Sequence, residues 1–207
     1  MKRGGIRNNF VQLALLLCLA VLVAASVSPQ VQNSSNVIDL SVDPARSKIY
    51  WTLGATMHTV HGTFGLKHGT LRVDTSTGKA GGEIVADATS GASGNDSRDK
   101  KMHQEVLESG RFPEIVFRPD RVEGKVQPQG SFGVQVHGNF SLHGAEHELT
   151  VPIQAELSAD HWKGSGKFSV PYAQWGLKNP STFLLRVAPA VEIELELSGS
   201  LQKPTSP

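Results

Sequence analysis

The feature that most constrains the fold is a regular alternation of apolar and polar residues that recurs along most of the chain. It is clearest near the end, where Val191, Ile193, Leu195 and Leu197 are separated by three glutamates. Successive side chains of a β-strand point to opposite faces, so each alternating run predicts a strand with one apolar face and one solvated face. The chain is therefore predicted to be all-β.

Two long alternating runs meet at a tight turn signal, His143-Gly144-Ala145-Glu146, and predict a β-hairpin. Further strands are predicted at residues 37–42, 49–57, 66–74, 83–90, 115–122, 161–172 and 191–197, with Gly62 and Gly65 breaking the run before residue 66. Eight or nine strands at this spacing are typical of a sandwich or a closed barrel. We expect an elongated eight-stranded antiparallel barrel.

One segment departs from the alternation and predicts a short helical insertion. Asp96 to Asp99 can cap a helix that Gly110 and Pro113 end. Within it, Arg98 and Asp99 are adjacent and oppositely charged. They are expected either to lock the loop or to contact the head group of a ligand.

The beginning of the chain has the organisation of a secretory signal peptide. Lys2, Arg3 and Arg7 precede an uncharged apolar run at residues 10–25 that ends in small residues. The prediction is a cleaved signal peptide at 1–25, a flexible lead at 26–36, a barrel domain at 37–200 and a flexible tail at 201–207, in a periplasmic or secreted protein. An uncleaved membrane anchor is the alternative, whereas cleavage predicts no stable membrane insertion. Cleavage also removes Cys18, the one cysteine of the chain.

Charge and motifs exclude several function classes. The 20 Lys and Arg balance 19 Asp and Glu with no basic tract, which argues against nucleic acid as a partner. No His-Glu-x-x-His, Cys-x-x-Cys or Gly-x-Ser-x-Gly motif is present, so we predict no catalytic residue, no metal and no cofactor. A histidine-based metal protein or enzyme stays open as an alternative, and it would need two or three of five histidines to converge: His58, His61, His68, His137 and His143.

The length of the strands gives the first indication of function. Thirteen alternating residues from Ser131 to His143 would extend about 43 Å, which stretches the interior of a small barrel into a tunnel. An apolar tunnel would hold a long, thin, apolar ligand. The predicted lining residues are Trp51, Leu53, Met57, Ile84, Phe117, Phe132, Val134, Val136, Phe140, Leu142, Val151, Ile153, Ile193 and Leu195. The alternative is a filled core in a structural or stress-response module, which periodicity cannot distinguish from a tunnel.

Five short motifs occur in order along the chain, at residues 58–64, 95–99, 112–117, 136–144 and 175–177. Their order resembles the YceI-like family of exported lipid-binding proteins. The resemblance implies a lipocalin-like barrel that carries an isoprenoid chain, of the quinone or polyprenyl type, as a ligand rather than a cofactor. The expected function is thus sequestration or transport of an isoprenoid lipid without covalent chemistry. Whether the barrel forms a homodimer is left open.

Overall fold

The alternating runs form nine β-strands in the computed structural model, which describes residues 36–202. The strands are β1 (Val37–Val42), β2 (Lys48–Gly54), β3 (Thr59–Asp74), β4 (Ala80–Ala92), β5 (Glu114–Glu123), β6 (Gly130–Leu142), β7 (Ala145–Leu157), β8 (His161–Val170) and β9 (Val191–Gln202). The predicted signal peptide, nearly all of the predicted lead and residues 203–207 lie outside the described residues.

A ring of antiparallel pairings joins the strands. The order is β1-β3-β2-β9-β8-β7-β6-β5-β4, and a further pairing of β3 with β4 closes the ring. Both β1 and β2 pair with β3 on one side and with β9 on the other, at different heights along those strands. The nine strands thus occupy eight positions, one of them filled by β1 and β2 in succession. The predicted eight-stranded antiparallel fold is confirmed.

The β6–β7 hairpin has the geometry that its turn residues predict. Leu142 pairs with Ala145, so His143 and Gly144 form a two-residue turn, with φ of 53° and 78°. Positive φ at both central residues is the requirement of a type I′ turn, whose twist matches that of the flanking strands. The hairpin therefore joins two strands of 13 residues each.

The prediction that Gly62 and Gly65 break a strand is wrong, because β3 continues through both glycines over 16 residues. A Cβ at Gly62 would overlap Cε2 of Trp51, so glycine leaves room for the indole on the neighbouring strand. Register shifts between Thr63 and Gly65 and between Leu66 and His68 absorb the local irregularity. At the other end of the chain, β9 continues through Leu201 and Gln202, where the sequence predicts a tail.

Connections between strands alternate between two ends of the barrel. Short connections at 75–79, 124–129 and 158–160 form what we call the turn end. The connections at 55–58, 93–113, 143–144 and 171–190 form the loop end. The segment 93–113 contains the predicted helical insertion, as helix α1 (Asp96–Lys101) followed by a π-helical turn (Met102–Val106). Within residues 36–202, no helix is long and apolar enough to cross a membrane.

Each end has its own group of buried side chains. At the turn end, Val42, Leu157, Trp162 and Leu197 pack together. At the loop end the buried group is Leu142, Val170, Tyr172 and Leu177. The space between these two groups is the interior of the barrel, where the candidate site lies.

Candidate ligand-binding site

A first cavity of about 190 Å³ occupies the middle and the turn end of the barrel. It is lined by side chains at alternate positions of the strands, as the period-two pattern requires. Most of the predicted lining residues lie in its wall: Ile84, Phe117, Phe132, Val134, Val136, Phe140, Val151, Ile153, Ile193 and Leu195. Among the described residues of this wall, the indole N–H of Trp162 is the one polar side-chain group, and it donates to the backbone oxygen of Ser41 at 3.0 Å. The first cavity can therefore accept only apolar groups.

The interior is not filled by the side chains that point into it. Phe117, Phe132 and Phe168 line the first cavity and are only half-buried, because part of each ring faces empty space. Close-packed protein cores leave few voids larger than a water molecule. The cavities argue against the filled-core alternative.

A second cavity, of about 380 Å³, lies at the loop end. Its wall includes the predicted residues Trp51, Leu53 and Leu142. It shares Phe64, Ile115, Phe140 and Ile193 with the first cavity, so the two adjoin. Together the two cavities extend along the strands, as expected for the tunnel that the strand lengths predict.

Met57 does not line either cavity, which corrects its predicted position. The strand β2 ends at Gly54, and alternation stops where the chain bends. Ala55 forms an isolated bridge with Val187, and Thr56 is held by Arg186, so the segment turns outward before Met57. The Met57 side chain is 89% exposed.

Part of the second cavity's wall comes from segment 171–190, which the sequence did not assign to the site. Its lining residues are Tyr172, Leu177, Pro180, Leu185 and Val187. Hydrogen bonds fold this segment over the barrel: the Tyr172 hydroxyl donates to the Ala188 oxygen at 2.7 Å, and Asn179 Nδ2 donates to the Val187 oxygen at 3.3 Å. Because the segment is neither helix nor strand, its apolar residues have no period that could have revealed which ones face inward.

Among the described residues that line the two cavities, the polar and charged side chains belong to the wall of the second cavity. The one exception is the hydrogen-bonded indole of Trp162 in the first. Arg98, Lys101 and His58 line the second cavity. Trp51 lines it too, and its buried Nε1 has no hydrogen-bond partner among the described residues. A buried N–H without a partner costs about 1–3 kcal/mol, so this indole lowers the stability of the loop end.

Arg98 and Asp99 both hold Ser93, which lies just before helix α1. Arg98 donates from Nε to the Ser93 hydroxyl at 2.7 Å and from Nη2 to the Ser93 backbone oxygen at 3.1 Å. Asp99 accepts from the Ser93 N–H at 3.0 Å and from the Ser93 hydroxyl. The pair is thus engaged in locking the loop, and Arg98 also contributes to the wall of the second cavity.

The cap of helix α1 is Asn95, not one of residues 96–99 as predicted. Its side-chain oxygen accepts from the N–H of Arg98 at 3.0 Å. Burial raises the pKa of the Asp99 carboxyl, but the hydrogen bonds from Ser93 and the nearby charge of Arg98 outweigh that effect and hold the pKa below its ordinary value. Asp99 is consequently an anion that strengthens the loop over a wide pH range.

The helical insertion packs closely on β4 through Gly91 and His103. A Cβ at Gly91 would lie 2.5 Å from Phe64 Cε1 and 2.8 Å from Met102 Cε, so only glycine permits this approach. His103 donates from Nε2 to the Gly91 oxygen at 2.8 Å and bonds the Ser109 hydroxyl through Nδ1 at 2.9 Å. The role of His103 in fastening this side of the second cavity was not predicted, since a single histidine carries no signal of its partners.

Three of the five histidines considered as metal ligands contact different partners. His61 bonds Thr52 at 3.0 Å, His137 bonds Thr150 at 2.7 Å, and His143 lies 3.1 Å from Glu108. In the part of the chain that the structure describes, no group of three or more His, Cys, Asp or Glu side chains is arranged to hold a metal ion.

Solved structures with this fold support the interpretation of the architecture. The chain is similar to BcnA of Burkholderia cenocepacia (15% identity, TM-score 0.62, covering 76% of this chain and 98% of that one). It is also similar to a polyisoprenoid-binding domain from Saccharophagus degradans implicated in plant cell wall breakdown (15%, TM-score 0.59, covering 79% and 98%). A third similar structure is the YceI protein of Campylobacter jejuni (12%, TM-score 0.56, covering 72% and 88%). No curated protein matches the chain.

The model of one protein family matches most of the described barrel. It is the YceI-like domain, and the match covers residues 40–199, from β1 to β9. This range includes all of β2 to β8, parts of β1 and β9, and nearly all of the residues that line the two cavities. The resemblance inferred from the short motifs is thereby confirmed, and the chain belongs to the YceI-like family.

Proposed function

We propose that this protein binds a long-chain isoprenoid lipid, of the quinone or polyprenyl type, inside its barrel and performs no covalent chemistry on it. The observation that carries the proposal is the wall of the first cavity, where, among the described residues, the indole N–H of Trp162 is the sole polar side-chain group and is already paired. A wall of this kind binds by removing apolar surface from water. That contributes about 0.8 kcal/mol for each buried CH₂ group.

The division of polar groups between the cavities sets the direction of the ligand. The polar end belongs in the second cavity, where Arg98 and Lys101 supply positive charge and His58 adds a polar side chain. The chain extends past Phe140 and Ile193 into the first cavity. This arrangement suits a lipid with one small polar end and a long apolar tail. The similar domain from Saccharophagus degradans binds polyisoprenoids, which agrees with this ligand class.

We further propose that the protein works outside the cytoplasm, as a periplasmic or secreted carrier or store of the lipid. The support is the charged start of the chain followed by its apolar run at 10–25. An isoprenoid chain is insoluble in water, and a barrel that encloses it would let it cross an aqueous compartment.

Solvent extraction tests the ligand class. We would purify the protein from its native host, extract it, and identify the released material by mass spectrometry. A polyprenyl or quinone species at about one per chain is the expected result. A blank extract, together with failure to take up added isoprenoid quinone and polyprenyl phosphate, would overturn the proposal.

A matched pair of variants tests the place of binding. Val136 lines the first cavity, and its neighbour Gln135 is exposed on the outside of the same strand. We expect Val136→Lys to abolish uptake of a fluorescent isoprenoid, because it places a charge in an apolar space, and Gln135→Lys to leave uptake unchanged. If Val136→Lys does not fold, Ala155→Leu replaces it in the test, because it is an apolar change that narrows the first cavity. Unchanged uptake in folded Val136→Lys or Ala155→Leu would place the ligand elsewhere.

A further inference from the structure

Large apolar side chains are exposed at the loop end. Phe183 and Leu184 are 94% and 86% exposed, and Met57 is 89% exposed. The turn end has only Val37 in this class among the described residues, at 37%. Large exposed apolar groups that cluster are typical of a surface that contacts a partner or a membrane.

These side chains belong to two segments that are bonded to each other. The N–H of Thr56 donates to the Arg186 oxygen at 2.9 Å, and the N–H of Arg186 donates to the Thr56 hydroxyl at 2.9 Å. Within the second segment, the N–H of Thr182 donates to the Leu185 oxygen at 2.8 Å, which makes a tight turn with Phe183 and Leu184 at its tip. The apolar residues are therefore held together at the loop end by backbone hydrogen bonds.

The same segments form the rim of the second cavity. Ala55 and His58 line that cavity from the first segment, and Leu185 and Val187 line it from the second. The exposed tip at Phe183 and Leu184 directly precedes Leu185. An apolar surface thus lies beside the space proposed for the polar end of a lipid.

Charge at the loop end is biased toward positive. Segment 171–190 contains Lys178 and Arg186 and no carboxylate, and the sequence has no Asp or Glu between Asp160 and Glu192. The other exposed segment lies in a stretch without acidic residues from 44 to 73. The third neighbour, segment 93–113, carries both signs.

In that third segment the charges balance, with four Asp and Glu against four Lys and Arg. Arg98 and Lys101 of this segment line the second cavity, and Glu105 pairs with Lys178 at 2.6 Å. Segments 55–58 and 143–144 contain no Asp, Glu, Lys or Arg. The connections of the loop end together therefore carry six Lys and Arg and four Asp and Glu, a small excess of cations.

We propose that the loop end docks reversibly on an anionic lipid bilayer, with Phe183 and Leu184 entering the interface between head groups and acyl chains and Arg186 at the level of the phosphates. Exposed apolar side chains flanked by cations are the combination that binds such an interface, because apolar burial and attraction to anionic lipids add. Docking brings the second cavity against the bilayer, so that a lipid can pass between the two without crossing water. The inference does not depend on the isoprenoid assignment, because it concerns the surface and not the occupant of the cavity.

A position-specific fluorescent probe tests the docking. In a Cys18→Ser background, Leu184→Cys and Val37→Cys would each be labelled with an NBD probe and mixed with isoprenoid-free vesicles of phosphatidylcholine, with or without phosphatidylglycerol. We expect the emission at position 184 to shift to the blue and rise several-fold with the anionic vesicles, less so without phosphatidylglycerol or at high salt. The probe at position 37, at the turn end, should not change.

Equal responses at the two positions, or none at position 184, would overturn the proposal. Attachment through an N-terminal anchor alone would not give a response confined to position 184. The comparison of the two probes therefore distinguishes such an anchor from docking through the loop end. A blue shift at position 184 that grows with protein concentration in the absence of vesicles would assign the surface to a second copy of the chain instead.

Unlabelled variants give a second measurement. Phe183→Ser combined with Leu184→Ser should lower co-sedimentation with anionic vesicles at least ten-fold, and Arg186→Gln should lower it for anionic vesicles alone. Because the two apolar side chains are exposed, the thermal unfolding midpoint of the double variant should stay that of the parent. Undiminished sedimentation of the double variant, relative to the parent, would exclude this surface as the membrane contact.

Discussion

The two ends of the barrel each bury a tryptophan, and the two indoles are satisfied differently. Trp162 at the turn end and Trp51 at the loop end are both 5% exposed. The N–H of Trp162 donates to the Ser41 oxygen, whereas the buried Nε1 of Trp51 has no partner among the described residues. The indole at the turn end is thus both packed and hydrogen-bonded. The indole at the loop end is packed, but its N–H donor has no acceptor among the described residues.

Other features follow the same division. The loop end has the larger cavity, the cationic lining residues and the exposed tip at Phe183 and Leu184. The turn end has β1 inserted between β3 and β9, which completes the ring of strands there. The comparison teaches that the groups able to recognise a polar end lie at the loop end, whereas the turn end combines closure of the ring with an almost wholly apolar cavity wall.

The largest effect expected from this comparison concerns glycines at the two ends. A Cβ at Gly199 would overlap the Ser41 backbone oxygen, whereas a Cβ at Gly54 meets nothing nearer than Ala188 Cβ at 3.8 Å. Gly199→Ala should lower the free energy of unfolding by about 3 kcal/mol because β1 must move away from β9. Gly54→Ala should change it by less than about 0.5 kcal/mol. Urea unfolding measures both, and equal losses would show that the space around these two glycines does not decide the effect.

The next prediction concerns the bonded indole. Trp162→Phe should lower the free energy of unfolding by roughly 1–3 kcal/mol, since it leaves the Ser41 oxygen without its donor and opens space in the turn end. The ring that remains is still apolar, so affinity for an isoprenoid should change little. Chemical denaturation and ligand titration of one preparation give both quantities. A loss of affinity without a loss of stability would reverse the assignment of the two ends.

The indole without a partner should show a smaller effect. Trp51→Phe removes a donor that has no acceptor among the described residues, so it breaks no hydrogen bond there, but it empties the space that the indole fills beside Gly62. We expect the free energy of unfolding to fall by less than in Trp162→Phe, which loses both packing and a hydrogen bond. Urea unfolding of the two variants measures the difference, and an equal or larger loss in Trp51→Phe would contradict it.

The smallest effect is the pH dependence of the loop lock. The pKa of Asp99 is held below its ordinary value in the folded protein, so its ionised form contributes stability above the unfolded pKa of about 4 and loses that contribution as pH falls through the folded value. In Asp99→Asn, the free energy of unfolding should therefore fall less steeply as the pH is lowered below about 4. It should cost about 1 kcal/mol at neutral pH. Thermal unfolding from about pH 2 to 7 checks this, and parallel acid limbs in parent and variant would contradict it.

Much of the site was predictable because the strands are long and regular. Phe132, Val134 and Val136 on β6 and Val151 and Ile153 on β7 face inward as their spacing requires. The failures occur where the period is interrupted. Met57 continues the alternation in sequence but lies beyond the end of β2, and Gly62 resembles a break but makes room for Trp51.

The sequence by itself determined the all-β class, the hairpin at His143 and Gly144, and most of the apolar wall. These depend on the two-residue repeat of a strand and on turn preferences, which are local properties of the chain. Only the tertiary structure decided that β1 and β2 share one position of the ring, that segment 171–190 covers the second cavity, and that Trp51 lacks a partner among the described residues. Those features arise from contacts between residues far apart in sequence, such as Thr56 with Arg186 and Ser41 with Trp162, and no local pattern encodes them.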